Sequence, residues 1–599
     1  MCGINAIFAY HDDAPPIDAG ELTRTRDAMR SRGPDASGAW FSADRRIALG
    51  HRRLSIIDVS ERANQPMTIG GMTIVFNGEI YNYRELRVEL GEECETTSDT
   101  EVLLRMYRRY GAEMLPRLRG MFAFAIWDGA ALFPARDPYG IKPLYIADDG
   151  RTFRCASQVK ALIAGGGVST ARDVAGIAGF YLRGHVPEPF TTYRAIHSLP
   201  AGSWMTVTHG GATAARAYFS IAEILRDAVP STRDRAERIA SAVGESVRYH
   251  LVSDVPVGAF LSAGLDSGSV VSHTASFETP SETLTMRFAA YAGTPKDELS
   301  DAARVARHYS VQHYSVDLTH EDVERELPRA LEAMDQPTID GLNSYFICRA
   351  AAQRGWKVAL SGTGGDELFG GYSTFRTIPR AVRLFGALPR VSRAIAALHG
   401  KLARGRRFSP KTALAPKYAQ TYVGAYIVKR GLFMPEELPE VMGRDEAEEA
   451  LRRLDLFGLV RDAITPDPRT PFARVAALES ALMLRSQLLR DLDWASMAHS
   501  LEVRTPLVDA FLLRAVAPLI VASKRDGKTL MAKPPLPRDI QHRRKTGFTV
   551  PLREWLAQRH PEFPRLFGMR AWALYVARNA GFQPATPAGK DAGATCLSS

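Results

Sequence analysis

Two patterns of apolar and polar positions divide the chain. Over residues 1 to about 215 the apolar runs are short and set between Gly, Asp and Pro turns, at 47–49, 72–76, 121–127 and 144–146, which predicts a strand-rich region. Pro134 falls inside one candidate strand. Lacking a backbone donor, it predicts that this strand is an edge or ends there. From near Ser231 the period changes. Ile239, Val243, Val247 and Leu251 recur every fourth residue, the mark of an amphipathic helix. Apolar strands then alternate with helices, at 255–261, 284–288, 313–316 and 357–360, and that alternation predicts a parallel, doubly wound sheet. The change of period puts a boundary between about 205 and 235, dividing the chain into 1–215 and 216–560. Past about 560, Ala, Gly and Pro follow without period, which predicts a disordered tail over 561–599. There is no internal repeat.

At 599 residues the chain is too long for one core. Its 45% hydrophobic and 24% charged residues fit a soluble globular protein. No apolar run reaches 18 residues, and Met1-Cys2-Gly3-Ile4-Asn5 lacks the layout of a signal peptide, so a cytoplasmic location without a membrane partner is the expectation. The five cysteines, Cys2, Cys94, Cys155, Cys348 and Cys596, are scattered and form no CxxC pair; they support neither a disulfide framework nor a zinc site. A net charge of +10 and a pI near 9.3 raise the question of nucleic acid. The arginines lie along the whole chain, however, and the densest groups, Arg404-Gly405-Arg406-Arg407 and His542-Arg543-Arg544-Lys545, are short. They read as solvated surface, with no nucleic-acid partner.

The chemistry starts at Cys2. Removal of Met1 would leave Cys2 with a free α-amino group, so that one residue supplies both nucleophile and base: a thiol of pKa about 8.5 beside an amine of about 7.7–8 needs no separate histidine. Asn77-Gly78-Glu79 follows an apolar strand and offers a side-chain amide and a glycine N–H to a tetrahedral oxyanion. Arg53 can clamp a carboxylate, while Glu79 and Asp99 can take up an α-ammonium group. Together these fit the two ends of a free amino acid. The bland alternative for each alone is a strand turn or a surface ion pair.

Six motifs in order, Met1-Cys2-Gly3-Ile4, Arg32-Gly33-Pro34-Asp35, Arg53-Leu54-Ser55-Ile56-Ile57-Asp58, Asn77-Gly78-Glu79-Ile80-Tyr81-Asn82, Ser98-Asp99-Thr100-Glu101 and Gly120-Met121-Phe122-Ala123-Phe124, resemble the class II glutamine amidotransferase domain. The resemblance implies an N-terminal-nucleophile αββα sandwich. It also implies Cys2 as nucleophile, Asn77 and Gly78 as oxyanion hole, and Arg53, Asn77, Glu79 and Asp99 as glutamine-binding residues.

In the second region, Gly258 to Ser267 closes an apolar strand with a Ser- and Gly-rich turn into a helix, suited to phosphate. There is no GxxxxGK[ST], which excludes a P-loop signature. A second loop, Ser361-Gly362-Thr363-Gly364-Gly365-Asp366, also follows a strand, and two strand-end loops each carrying an aspartate can hold Mg²⁺ against phosphates. The pair resembles the ATP-pyrophosphatase-type domain of glutamine-hydrolysing asparagine synthetases. By that resemblance ATP meets Leu261, Ser262, Gly264, Asp266, Ser267, Met286, Ser361, Gly362 and Lys545, and Asp266 and Asp366 bind Mg²⁺. The implied reaction amidates aspartate by way of an acyl-adenylate, releasing glutamate, AMP and pyrophosphate, with a homodimer as one possible assembly. Three residues depart from the family's pattern. Ala263 stands for a usual glycine, Thr363 for a usual acid and Trp494 for a common arginine, which implies a changed acceptor or weak synthesis. Rival readings keep the chemistry on a sugar acid or natural-product carboxylate, or make the chain a glutamine- or nucleotide-binding regulator. A cyclising ligase is disfavoured by the intact Cys2, Arg53 and Asn77-Gly78, because it needs no ammonia.

Overall fold

A computed structural model describes residues 2–91, 93–277, 282–294, 297–387, 410–522, 527–543, 555–556 and 569–582. Its first half is built from two antiparallel sheets. One runs in space His197–Ser198, Tyr145–Asp148, Thr152–Ala156, Gly3–Ala9, Ile47–Arg53, Ala36–Phe41. The other runs Gly211–Ala212, Val207–Thr208, Leu132–Arg136, Gly120–Trp127, Met72–Ile80, Met67–Ile69. Alternation along each strand decides the layers. Ile4, Ala6 and Phe8 face Val75, Ala123 and Ala125 across the sandwich, while the intervening Ile7 and Ala9 point outward to Leu22 of the helix Ala19–Asp27. On the far side Ile74, Phe76, Phe122 and Phe124 pack under Val102, Leu103 and Met106 of the helix Asp99–Tyr110. The result is the expected αββα order.

Pro134 does not end its strand. Leu132–Arg136 runs through it, flanked on both sides. The physical reason lies in the neighbour, which is interrupted there: Trp204 pairs with Ala135 and Val207 with Leu132. Between them Met205 N donates to Pro134 O at 3.1 Å. A residue's N–H and C=O leave a strand on the same side, so the missing donor faces the gap, where only the carbonyl is needed.

The second sheet system is fully parallel, in the order Gln312–Leu318, Glu282–Phe288, Val257–Phe260, Val358–Leu360, Glu502–Arg504. The first four strands match the apolar runs of the sequence. The fifth does not, because Glu502 and Arg504 are charged yet fully buried. Strand order reverses between Val257–Phe260 and Val358–Leu360, and the crevice beyond the carboxyl ends of two such strands is where doubly wound sheets bind ligands. The helix Arg235–His250 buries Ile239, Val243 and Val247 as its period requires. One further element corrects the expectation of a tail: a helix spans Arg570–Asn579 and buries Trp572, Ala573 and Val576. Its apolar face was hidden from sequence reading by the poorly periodic residues around it.

Candidate functional site

Cys2 opens the strand Gly3–Ala9, 8% exposed, with its backbone N–H donating to Asn77 Oδ1 at 3.0 Å. That bond turns the Asn77 amide so that its buried Nδ2 meets no acceptor among the described residues. A buried amide donor left unmatched is costly, and here it lies beside the nucleophile, where an oxyanion would supply the acceptor. Gly78 follows with φ 150°, and a Cβ at that position would stand 2.0 Å from Met121 O. No other residue lets this strand approach the neighbouring Gly120–Trp127 so closely. Burial pushes the Cys2 thiol up, against the Leu54 N–H and Arg53, which favour the thiolate.

The pocket beside Cys2 is lined by Arg53, Gly78, Glu79, Ser98 and Asp99. Arg53 is buried and oriented by Ser60 O at 2.7 Å, Asn64 Oδ1 at 2.8 Å and Asp58 O. Asp99, in the first turn of its helix, accepts from Ile80 N at 2.9 Å. Burial raises Asp99 to about 6 even so. Burial, then Glu502 and Asp99, push Glu79 well above the usual carboxylate range. Two adjacent buried acids, with Arg504 no nearer to Glu79 than 4.0 Å, describe a receptor for an ammonium group.

In the second half the loop after Val257–Phe260 is closed on itself. Ser267 Oγ accepts from Ser262 N at 3.1 Å, and Ser262 Oγ accepts from Gly264 N at 3.1 Å, so the backbone is set before any phosphate arrives. Gly362 lies flat against this loop, where a Cβ would meet Ser267 N at 2.6 Å. The cavity at the switch point, about 290 Å³, is lined by both loops and by Leu261, Met286, Asp266 and Asp366. Lys528 was not singled out in the sequence, being one of 76 basic residues. It places Nζ 2.5 Å from Asp266 Oδ2 and 2.5 Å from Asp366 Oδ1. Burial works against its charge, but the two aspartates hold the ammonium above its ordinary range. The two carboxylates thus converge on one cation, the demand a divalent ion on phosphates would also meet. Lys545, expected at the phosphates, lies outside the described residues.

Trp494 is not on the wall of this cavity. It is buried behind it, donating Nε1 to Asp491 Oδ1 at 3.1 Å, and it is Asp491 that lines the cavity, with Asp340 beside it. Thr363 does line the cavity, its hydroxyl 2.9 Å from Ser361 Oγ.

The two halves are joined through residues of the first region's motifs. Arg32, fully buried, donates Nε to Cys2 O at 3.0 Å and forks onto Asp493 at 2.7 and 3.0 Å. Asp35 meets Lys357 at 2.9 Å. From the other side Arg504 reaches within 4.0 Å of Glu79 and holds Glu502 at 2.6 Å. Removing one partner of the Arg32–Asp493 pair would strand a buried charge, at a cost of about 3–5 kcal/mol.

The glutamine amidotransferase domain family matches residues 1–219, and the asparagine synthase family matches residues 238–565. The chain is 32% identical to a putative glutamine-hydrolyzing asparagine synthetase of Mycobacterium tuberculosis strain H37Rv, over 93% of this chain and 88% of that one. It is 32% identical to glutamine-hydrolyzing asparagine synthetase 1 of Bacillus subtilis, over 94% and 89%. It is also 28% identical to amidase chry2 of Gibberella zeae, over 86% and 82%.

Proposed function

The chain belongs to the asparagine synthase family, and from that premise we propose that it is a glutamine-hydrolysing, ATP-dependent carbon–nitrogen ligase acting on an aspartate-like carboxylate. The two catalytic parts divide near residues 215–216 as the sequence period suggests. The observation that carries the reading is the double engagement of Arg32 by Cys2 O and Asp493, which ties the nucleophile's strand to the helix carrying Asp491 at the switch-point cavity.

In the first pocket Arg53 holds the carboxylate of glutamine, and Glu79 and Asp99 its ammonium. The Cys2 thiolate, its proton passed to its own α-amino group, attacks the side-chain amide. The oxyanion lies on Asn77 Nδ2 and Gly78 N–H, and collapse expels ammonia and leaves a thioester for water. In the second pocket the acceptor carboxylate displaces pyrophosphate from ATP, and ammonia then displaces AMP. Asp266 and Asp366 would hold Mg²⁺, which supplies neutralisation of phosphate charge. Lys528 supplies a further positive charge at the same carboxylates. The ammonia stays neutral only if its path between the halves excludes water.

The pH dependence follows from Asp99. Its carboxyl, raised to about 6 by burial, must be ionised to receive an ammonium group, so glutamine binding tightens as pH rises through about 6 and weakens below it. Titrating glutamine into the Cys2→Ala protein between pH 5 and 8 reads this directly, and Asp99→Asn should weaken binding throughout and leave only the dependence set by Glu79, whose carboxyl is also raised. A flat profile in the unaltered pocket would exclude Asp99 from ammonium binding.

The acceptor end of the cavity favours a second, narrower reading. It brings Asp340, Asn343, Ser344, Thr363 and Asp491 together without a lysine or arginine among the described residues. Burial, then Asp340, raises Asp491 to about 7, although Thr338 Oγ1 at 2.8 Å and the Trp494 indole both donate to it. Among the described lining residues a second carboxylate on the acceptor meets no lysine or arginine, only Asn343 and hydroxyls, while Arg490 acts on Asp491 from outside the lining. An amine has Asp340 and Asp491 to meet. Glutamine-dependent pyrophosphate release should therefore be faster with amino or polyhydroxy monocarboxylic acids than with free aspartate. Asp491→Asn should narrow that gap several-fold. Aspartate turnover on the order of 1 s⁻¹ or faster in the unaltered protein would return the acceptor to aspartate.

A further inference from the structure

A second cavity, about 240 Å³, plays no part in the chemistry above. It lies at the seam of the two halves, between the turn His185–Pro189 with Pro200 and Ala201 on one side and the helices Leu456–Asp462 and Glu479–Leu489 on the other. Its charges are unbalanced. Arg183, only 6% exposed, lines the wall with a buried Nη1 that meets no acceptor among the described residues; its guanidinium lies over the Tyr426 ring at 5.0 Å. Arg485 gives Nη2 to Pro138 O at 3.2 Å and leaves its buried Nε unmatched. Behind them Arg490 gives Nη1 to Val186 O at 2.7 Å, with Nε and Nη2 also unmatched.

The carboxylates of the same wall answer them only in part, Glu188 favouring the charge of Arg485. Glu188 is engaged by Arg136 at 2.8 Å, and Asp462 is exposed. His185 contacts Gln487 Oε1 at 3.2 Å, and burial, then Arg183 and Arg490, hold its imidazole neutral. A buried guanidinium short of counter-charge is expensive, and Arg183 and Arg485 line the same cleft. A fork of N–H donors matches an oxygen anion in geometry as well as in charge.

We propose that this cavity binds a small oxyanion, a carboxylate or a phosphoryl group, between Arg183 and Arg485, and that the bound anion braces the seam between the halves. Both halves contribute: Arg183 comes from the end of the helix Val174–Arg183, and Arg485 from Glu479–Leu489, a π-helix of the kind that recurs at functional sites. The proposal stands on this cavity alone and does not depend on which acceptor the ligase uses.

The test is calorimetric titration of the full chain with inorganic phosphate and, separately, with acetate, at fixed ionic strength and without ATP or glutamine, together with the melting temperature under each condition. Saturable binding that raises the melting temperature is expected from at least one anion. Phosphate alone would identify a phosphoryl source, acetate a carboxylate. Arg485→Gln, at a half-buried position, and Arg183→Gln should each weaken that binding at least about tenfold. Arg117→Gln, a surface arginine paired with Glu89, should leave it unchanged. No titration by either anion overturns the proposal, as does binding that survives Arg485→Gln or is lost with Arg117→Gln. Should Arg183→Gln fail to fold, the Arg485 variant decides.

Discussion

Cys2→Ala is expected to lower glutamine hydrolysis by at least about 10³-fold while synthesis from added ammonium salts persists. The size follows from what is removed. The nucleophile is lost outright, and the groups that remain, Asn77 Nδ2, the Gly78 N–H and the glutamine clamp, can only bind and polarise the amide; a factor of 10³ corresponds to about 4 kcal/mol of barrier. The selectivity follows from the fold. Cys2 directly precedes the strand Gly3–Ala9, which pairs with Ile47–Arg53 in the first sheet system, and it is not among the residues lining the switch-point cavity, which all come from the second half. An alanine Cβ also leaves the Cys2 N–H to Asn77 bond in place, so the pocket keeps its shape. Glutamate release in the presence of glutamine and pyrophosphate release in the presence of ammonium chloride, measured on one preparation, separate the two half-reactions. Retained hydrolysis would remove Cys2 as nucleophile; loss of both would mean that the cysteine also carries structure. An N-terminal extension that cannot be cleaved should reproduce the glutaminase loss, since the α-amino group is then an amide without basicity.

What was legible in the sequence was what local pattern encodes. The strand periods of the first half, the four-residue period of Arg235–His250 and the apolar runs of four parallel strands each bury a face that can be read one residue at a time. The loops at Ser262 and Ser361 were legible because small residues after an apolar strand have few other uses. Long-range charge pairing was not. Glu502 and Arg504 make a strand that looks like surface, and only burial against Glu79 and His250 O explains them. Lys528 sits 262 positions from Asp266 and 162 from Asp366, so nothing near it in sequence marks it. Trp494 illustrates the opposite error. Its departure from the family's pattern implied a changed acceptor, but on the helix Arg490–Met497 it is Asp491 that lines the cavity, with the indole bonded behind it. Pro134 sits inside its strand because its missing donor faces a gap in the neighbouring strand, between Trp204 and Val207, which lies far along the chain and leaves no mark near it.

The same buried triad sets the largest expected effect in the second half. Lys528→Met is expected to reduce acceptor-dependent pyrophosphate release by about 10²–10³-fold, roughly 3–4 kcal/mol, and Asp366→Asn by a similar factor, with basal glutaminase spared in both. Lys528 is 5% exposed and held by two carboxylates, so its removal leaves Asp266 and Asp366 facing each other across the place where phosphate charge must be neutralised. Methionine keeps the length of the stem and its packing, which separates loss of charge from loss of volume. The two variants differ in what added Mg²⁺ should do. Without the ammonium the two acids still carry both carboxylate charges for a divalent ion, so raising Mg²⁺ should recover part of the Lys528→Met loss. In Asp366→Asn one of the two oxygen donors has lost its charge, and excess Mg²⁺ should recover little. If instead Lys528→Met releases pyrophosphate at the unaltered rate, the lysine serves only to hold the two aspartates in place when no nucleotide is bound. The charge that stabilises the departing pyrophosphate must then come from elsewhere in the chain.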